Sequence, residues 1–214
     1  MKNIVITFCA VSLLFACKNE TKEAKPSDTT ATASTAKPDE WIPVDSATAM
    51  KTMMEAAIPG KEQAMLAKSN GVWKAETTMW MSPDAPPMKS NGTATNKMIM
   101  GGRYQQMAFK GDMMGQPFEG LGTTGYDNAR KVWTSTWIDN MGTGIMNMDG
   151  TWDEATKSMT STGKMLCPAN GKWCEMKEVL KMVDDNTQVM EMYGPDMKTG
   201  KQFKNMEIKL TRSK

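Results

Sequence analysis

From Val72 onward the chain alternates apolar and polar residues with a period of two. Trp73, Ala75, Met79 and Met81 hold odd positions, and Lys74, Glu76 and Thr78 lie between them. A half-buried strand produces this pattern, because successive side chains point to opposite faces. It recurs at Ala94, Met98 and Met100, at Met107 and Phe109, and at Met146, Met148 and Trp152. It returns at Met176, Leu180 and Met182, at Met190 and Met192, and at Met206, Ile208 and Leu210. Turn signals separate these runs every 8–12 residues or so, which predicts about ten antiparallel strands. Ten of the 17 glycines fall between Gly101 and Gly150. Glycines inside strands mark bends and bulges, which a wall curving back on itself requires. The expected fold class is all-β, a closed antiparallel β-barrel occupying 71–214.

Helical spacing is confined to a segment at 41–70. Asp45 or Ser46 can cap a run from Ala47 to Ala57 that Pro59-Gly60 ends, and Lys61 to Ser69 supplies a second short helix stopped by Asn70-Gly71. With helices only at the front, a parallel α/β sheet is not expected. From Lys18 to Glu40 the chain contains only Lys, Asn, Glu, Thr, Ala, Pro, Ser and Asp. Such a composition cannot bury a core, so residues 17–40 are expected to form a disordered tether with a reach of roughly 25 Å.

The first 16 residues set the expected address. Met1-Lys2-Asn3 precedes an apolar run, Ile4 to Ala16, that is too short to span a bilayer and reads as a signal peptide. Leu14-Phe15-Ala16-Cys17 resembles the lipobox of bacterial lipoproteins. That resemblance implies cleavage before Cys17, a palmitate-type acyl anchor on its amino-terminal cysteine, and attachment to the bilayer of the cell envelope, expected at the outer membrane. The alternative is an ordinary signal peptide and an unanchored product. Two cysteines, Cys167 and Cys174, then remain around Asn170-Gly171, a hairpin signal, and in an oxidising envelope they read as a disulfide.

Composition removes several function classes. The chain has 24 methionines, seven tryptophans and no histidine. Without imidazole there is no His base, no His-ligated zinc and no proximal His for haem. The net charge is +2, and loss of Lys2 with the leader takes it to +1, so nucleic acid is not an expected partner. Gly120 to Gly125 matches G-x-G-x-x-G, but a turn and another strand follow instead of a helix, so it is not a dinucleotide site. No catalytic motif is recognisable; the protein is not expected to be an enzyme, and no metal or cofactor is expected.

Gly71-Val72-Trp73, directly after a short helix, resembles the start of the calycin barrels, the lipocalins and fatty-acid-binding proteins. In those folds an arginine near the chain end packs on that tryptophan, which implies Arg212 over Trp73 as the barrel closure. Only three of the 26 basic residues are arginine, at 103, 130 and 212, and such positions call for the planar fork. A longer resemblance spans Pro59 to Arg212 and rests on four stretches. These are Gly101-Gly102-Arg103-Tyr104, Gly111 to Gly120, Gly125-Tyr126-Asp127-Asn128 and Trp137 to Gly144. Together they resemble the bacterial family catalogued as Domain of Unknown Function 1579, which brings no established activity. Its members commonly carry a histidine where this chain has Gln63.

Repeated i, i+2 methionines point to one strand face. They suit a packed core, a flexible cavity lining for a hydrophobic ligand, or a soft thioether site for Cu(I) or Ag(I). Strand alternation favours core or cavity over metal. The ligand-binding candidates are Arg103, Tyr104, Met107, Phe109, Phe118, Tyr126, Trp137, Met146, Met148 and Glu178. Arg103 and Glu178 are a candidate internal ion pair, unless both are merely surface or structural charges. Asp139-Asn140 suits either a rim loop or a turn. The expectation is a monomeric envelope lipoprotein holding a small hydrophobic molecule, with a structural or protein-interaction module as the alternative.

Overall fold

A computed structural model of the protein describes residues 40–213. The expected leader, the expected lipidation site at Cys17 and the expected tether up to residue 39 lie outside the described residues. Two helices come first, α1 (Ser46–Ala56) and α2 (Lys61–Ala67). Ten strands follow, beginning with β1 (Gly71–Met79), β2 (Met88–Ile99), β3 (Tyr104–Met113), β4 (Gln116–Asp127) and β5 (Val132–Asp139). The wall continues through β6 (Met146–Asp153), β7 (Ser158–Cys167), β8 (Lys172–Asp184), β9 (Thr187–Pro195) and β10 (Gln202–Arg212). Each strand pairs antiparallel with its sequence neighbours, and β1 pairs with β10 to close the barrel. Closure leaves no unpaired sheet edge.

Alternation decides which residues face inward. Trp73 lies opposite Ala94 on one side and Arg212 on the other, and the small Ala94 leaves room for the indole, which is 0% exposed. Its Nε1 donates to Ser69 O at 2.9 Å. The Arg212 guanidinium sits 4.2 Å from the Trp73 ring centroid. Its three nitrogens donate to backbone carbonyls: Nη1 to Asn70 at 2.6 Å, Nη2 to Lys68 at 2.7 Å and Nε to Asp185 at 3.2 Å. One side chain from the last strand thus holds the end of α2, the first strand and the β8–β9 turn together. Arg130 also uses the fork, on both oxygens of the Asp149 carboxylate, whereas Arg103 makes a single bond from Nη1 to Met100 O.

Local chemistry explains the tightest connections. The β3–β4 turn is two residues, Met114 at φ 53° and Gly115 at φ 75°, both left-handed as a type I′ hairpin demands. Within β4, a Cβ at Gly120 would lie 2.1 Å from the Trp137 ring, so glycine there makes room for an inward aromatic. Asp45 caps α1 by accepting from the amides of Ala47 and Thr48.

Several expectations need correction. Met81 does not continue β1: the strand ends at Met79 and Met81 is exposed in the connection to β2. Cys167 and Cys174 are free thiols. In the β7–β8 register Cys167 opposes Lys172 and Cys174 opposes Met165, so the pair is diagonal rather than opposite. Diagonal neighbours lie about 7–8 Å apart, at the limit of what a disulfide bridges. Cys167 instead directs its Sγ at Met197 Sδ, 3.8 Å away. Burial, with Cys167 beside it, pushes the Cys174 thiol up.

Candidate ligand cavity and its mouth

The inward faces do not fill the barrel. They enclose a cavity of about 320 Å³. Twelve of the chain's 24 methionines line it, contributed by seven of the ten strands, by α2 and by the β5–β6 connection. An aromatic layer crosses it, with Phe109 edge-on to Phe118 at 5.8 Å and Phe118 stacked on Trp137 at 6.4 Å. Unbranched thioether side chains repack at low cost, so such a wall adapts to the shape of an occupant.

Helix α2 lies across one end, held there by polar groups rather than by a large apolar face. Gln63 is buried and commits both ends of its amide: Oε1 accepts from Gly60 N at 2.7 Å, and Nε2 donates to Tyr126 O on β4 at 3.1 Å. Gln105 Nε2 donates to Leu66 O at 2.6 Å, and Asn96 Nδ2 donates to Ser69 O at 3.2 Å. Gln188 Nε2 bonds Ser69 Oγ at 3.0 Å. Beside α2 the barrel end opens into a cleft of about 1000 Å³, lined among others by Tyr126, Lys131, Glu154 and Asp184. Met65, Ser69, Trp133, Trp152, Met182 and Gln188 border both the cleft and the inner cavity, so the cleft is its mouth.

Seven of the ten candidates read from the sequence line the cavity: Met107, Phe109, Phe118, Trp137, Met146, Met148 and Glu178. Tyr126 lies at the mouth, packed edge-on against Trp133 at 5.2 Å. Arg103 and Tyr104 do not belong to the site. β3 starts only at Tyr104, so the alternation does not reach Arg103, which sits exposed in the preceding turn. Tyr104 has outward parity and is 44% exposed. The proposed Arg103–Glu178 ion pair is therefore absent.

Glu178 is the chemically distinctive residue. In register it faces Ser161 on β7 and Met192 on β9, and its carboxyl borders the cavity. Burial alone pushes its pKa up to about 7; no charge or hydrogen bond acts on it. Asp139, by contrast, is a turn residue: it accepts from Trp137 Nε1 at 2.8 Å and from Met141 N at 2.9 Å. Asn140 bonds Pro117 O and Glu119 N, completing that turn. The buried amides Asn96, Gln105 and Gln188 were not among the sequence candidates. Their inward parity was the available signal, since each interrupts an otherwise apolar face. Among the described residues no group of three or more Cys, Asp or Glu side chains converges as a metal site.

The family follows from the match of its model. Residues 58–212 match the family described as "Protein of unknown function (DUF1579)", and the chain belongs to it. Among solved structures, 14 chains match. One is the crystal structure of Rv2717c from M. tuberculosis, at 11% identity and TM-score 0.57, covering 73% of this chain and all of that one. That likeness is one of fold. No curated protein matches.

Proposed function

We propose that the protein is a non-enzymatic binding protein that holds one small hydrophobic molecule inside the barrel. The observation that carries this is the enclosed, methionine-lined cavity of about 320 Å³ with its own mouth beside α2. The volume suits a ligand at the small end of the usual pocket range. Titration with the neutral fluorophore phenylnaphthylamine is expected to give saturable enhancement at one molecule per chain. Met190→Trp, which fills the cavity, is expected to weaken that binding at least tenfold (roughly 1.4 kcal/mol) while the circular dichroism spectrum persists. Absence of saturable binding, or equal binding by the filled variant, would sink this reading.

The same proposal places the protein in the bacterial envelope, tethered to the outer membrane by acylated Cys17 and monomeric there. The leader and the residues around Cys17 support it. Cells grown with radiolabelled palmitate are expected to label the wild type and not Cys17→Ala, which should move to the soluble fraction. Label on neither protein contradicts the anchor.

A second reading, an interaction module, is favoured by α1. Met50, Met53 and Met54 follow helical spacing on one side, and they and Ile58 just beyond the helix are exposed.

A further inference from the structure

We propose that the occupant of the cavity is a lipophilic amine, bound as its cation with its N–H groups directed at the Glu178 carboxylate. This deepens, and rests on, the reading of the barrel as a container for a small hydrophobic molecule.

Four observations converge on it. First, the cavity wall has one sign of charge. Asp112, Asp139 and Glu178 line it, and among the described residues no lysine or arginine does. A carboxylate ligand would enter that wall with no cation to receive it and would meet like charges. A hydrophobic acid is therefore disfavoured.

Second, two of the amides that border the cavity, Asn96 and Gln105, turn acceptors toward it, and the Ser and Thr hydroxyls of the wall can accept as well as donate. Asn96 is 7% exposed and borders the cavity; its Nδ2 is spent on Ser69 O, and its Oδ1 has no partner. The Gln105 amide nitrogen is likewise committed, to Leu66 O and Asn70 Oδ1. Because their partners include backbone carbonyls, these amides present nitrogen to α2 and leave oxygen for the cavity. The indoles of Trp137 and Trp152 donate to Asp139 and Glu154. An occupant that brings donors matches the unpartnered Asn96 Oδ1.

Third, Glu178 differs from the other two lining carboxylates. Asp139 is held by its turn and Asp112 is exposed to solvent, whereas Glu178 is flanked in register by Ser161 and Met192 only. A carboxylate kept there without a partner is costly, and an ammonium supplies both the opposite charge and the hydrogen bonds. Fourth, the Phe109, Phe118 and Trp137 layer offers aromatic faces to the same cavity, and such faces attract cations.

The empty barrel holds Glu178 with a pKa of about 7. A bound ammonium favours the ionised form, so amine binding releases a proton near and below that pH and strengthens as pH rises.

Calorimetric titration with n-octylammonium, octanol and octanoate, which share one chain length, tests the inference. At about pH 8 an alkylammonium, like lysine, remains charged. Octylammonium is expected to bind at least tenfold tighter than octanol, with octanoate weakest. The preference should shrink at about pH 5.5, where Glu178 is protonated. Glu178→Gln is expected to weaken octylammonium by roughly ten- to hundredfold and octanol by less than about threefold. Octanol binding as tightly as octylammonium, or octanoate binding best, overturns the amine reading while leaving hydrophobe binding intact. A preference for ammonium that survives Glu178→Gln removes Glu178 as the acceptor and overturns it too. If none of the three binds and phenylnaphthylamine also fails, the container itself is refuted, and the amine inference with it.

Discussion

Glu178→Gln is expected to stabilise the empty protein by about 3 kcal/mol at pH 8 and by little at pH 4.5. The magnitude is the displacement from the ordinary 4.5 to about 7, at about 1.4 kcal/mol per unit. The sign follows from which state holds the proton. Burial disfavours the charged form, so the folded protein keeps the proton to a higher pH than the unfolded chain does. Between about 4.5 and about 7 the folded state carries more protons, and stability falls as pH rises through that window. Above about 7 both states are ionised and the loss is complete. Glutamine has a similar shape and no charge, so it removes the dependence. Urea unfolding of both proteins across that range measures the free energy, and thermal unfolding at pH 8 is expected to separate their Tm values by roughly 6–12 °C. A gain that is equal at both ends of the range would assign the effect to something other than ionisation. A wild type stabilised sharply at pH 8 by an added amine would link this cost to ligand binding.

Trp73→Ala is expected to cost about 4–5 kcal/mol, enough to unfold a barrel of ordinary stability at moderate temperature. The indole is 0% exposed, its Nε1 holds Ser69 O, and it supports the guanidinium that ties β10 to the end of α2. Arg212→Lys keeps the charge but loses the fork, so two of the three carbonyl contacts go unmatched. Its expected cost is smaller, about 1–2 kcal/mol. Equilibrium unfolding by urea reads both. A Trp73→Ala protein within about 1 kcal/mol of wild type is incompatible with the indole acting as the closure point.

The apparent conflict between these two residues is instructive. Trp73 is fully satisfied, and its burial stabilises the fold. Glu178 is half-buried against the cavity with no partner and destabilises the empty form. Strain of that kind persists where an occupant relieves it, and polar groups left open toward a cavity are the usual sign of such a site.

Much of the wall was legible because a strand's side-chain period is two, and the inward set can be read by counting. Met107, Phe109, Phe118, Trp137, Met146 and Met148 face the cavity for that reason. Counting failed where strands stop. Met81 and Arg103 have the right parity but lie beyond the strand ends, in segments whose backbone no longer alternates. The cysteine pair failed for a related reason: the Asn170-Gly171 turn sets a register in which the two cysteines are diagonal rather than opposite, and both are free thiols. Gln63 is buried, and its amide serves α2 and β4 rather than the cavity. The exposed stripe of α1 follows helical spacing that would ordinarily indicate a buried face, yet its three large apolar residues, Met50, Met53 and Met54, are all exposed.

Local pattern by itself determined an all-β chain that closes on itself, because alternation, turn residues and glycine placement act within a few neighbouring residues. Absence of histidine likewise settled which chemistries were unavailable. Whether the enclosed methionines filled the barrel or lined a space was a matter for the tertiary structure. Side-chain volume is summed along the sequence, but the volume to be filled is set by the circumference of ten paired strands. The same holds for Glu178. Its identity and inward parity are in the sequence, but its lack of any partner depends on what nine other strands bring to that depth.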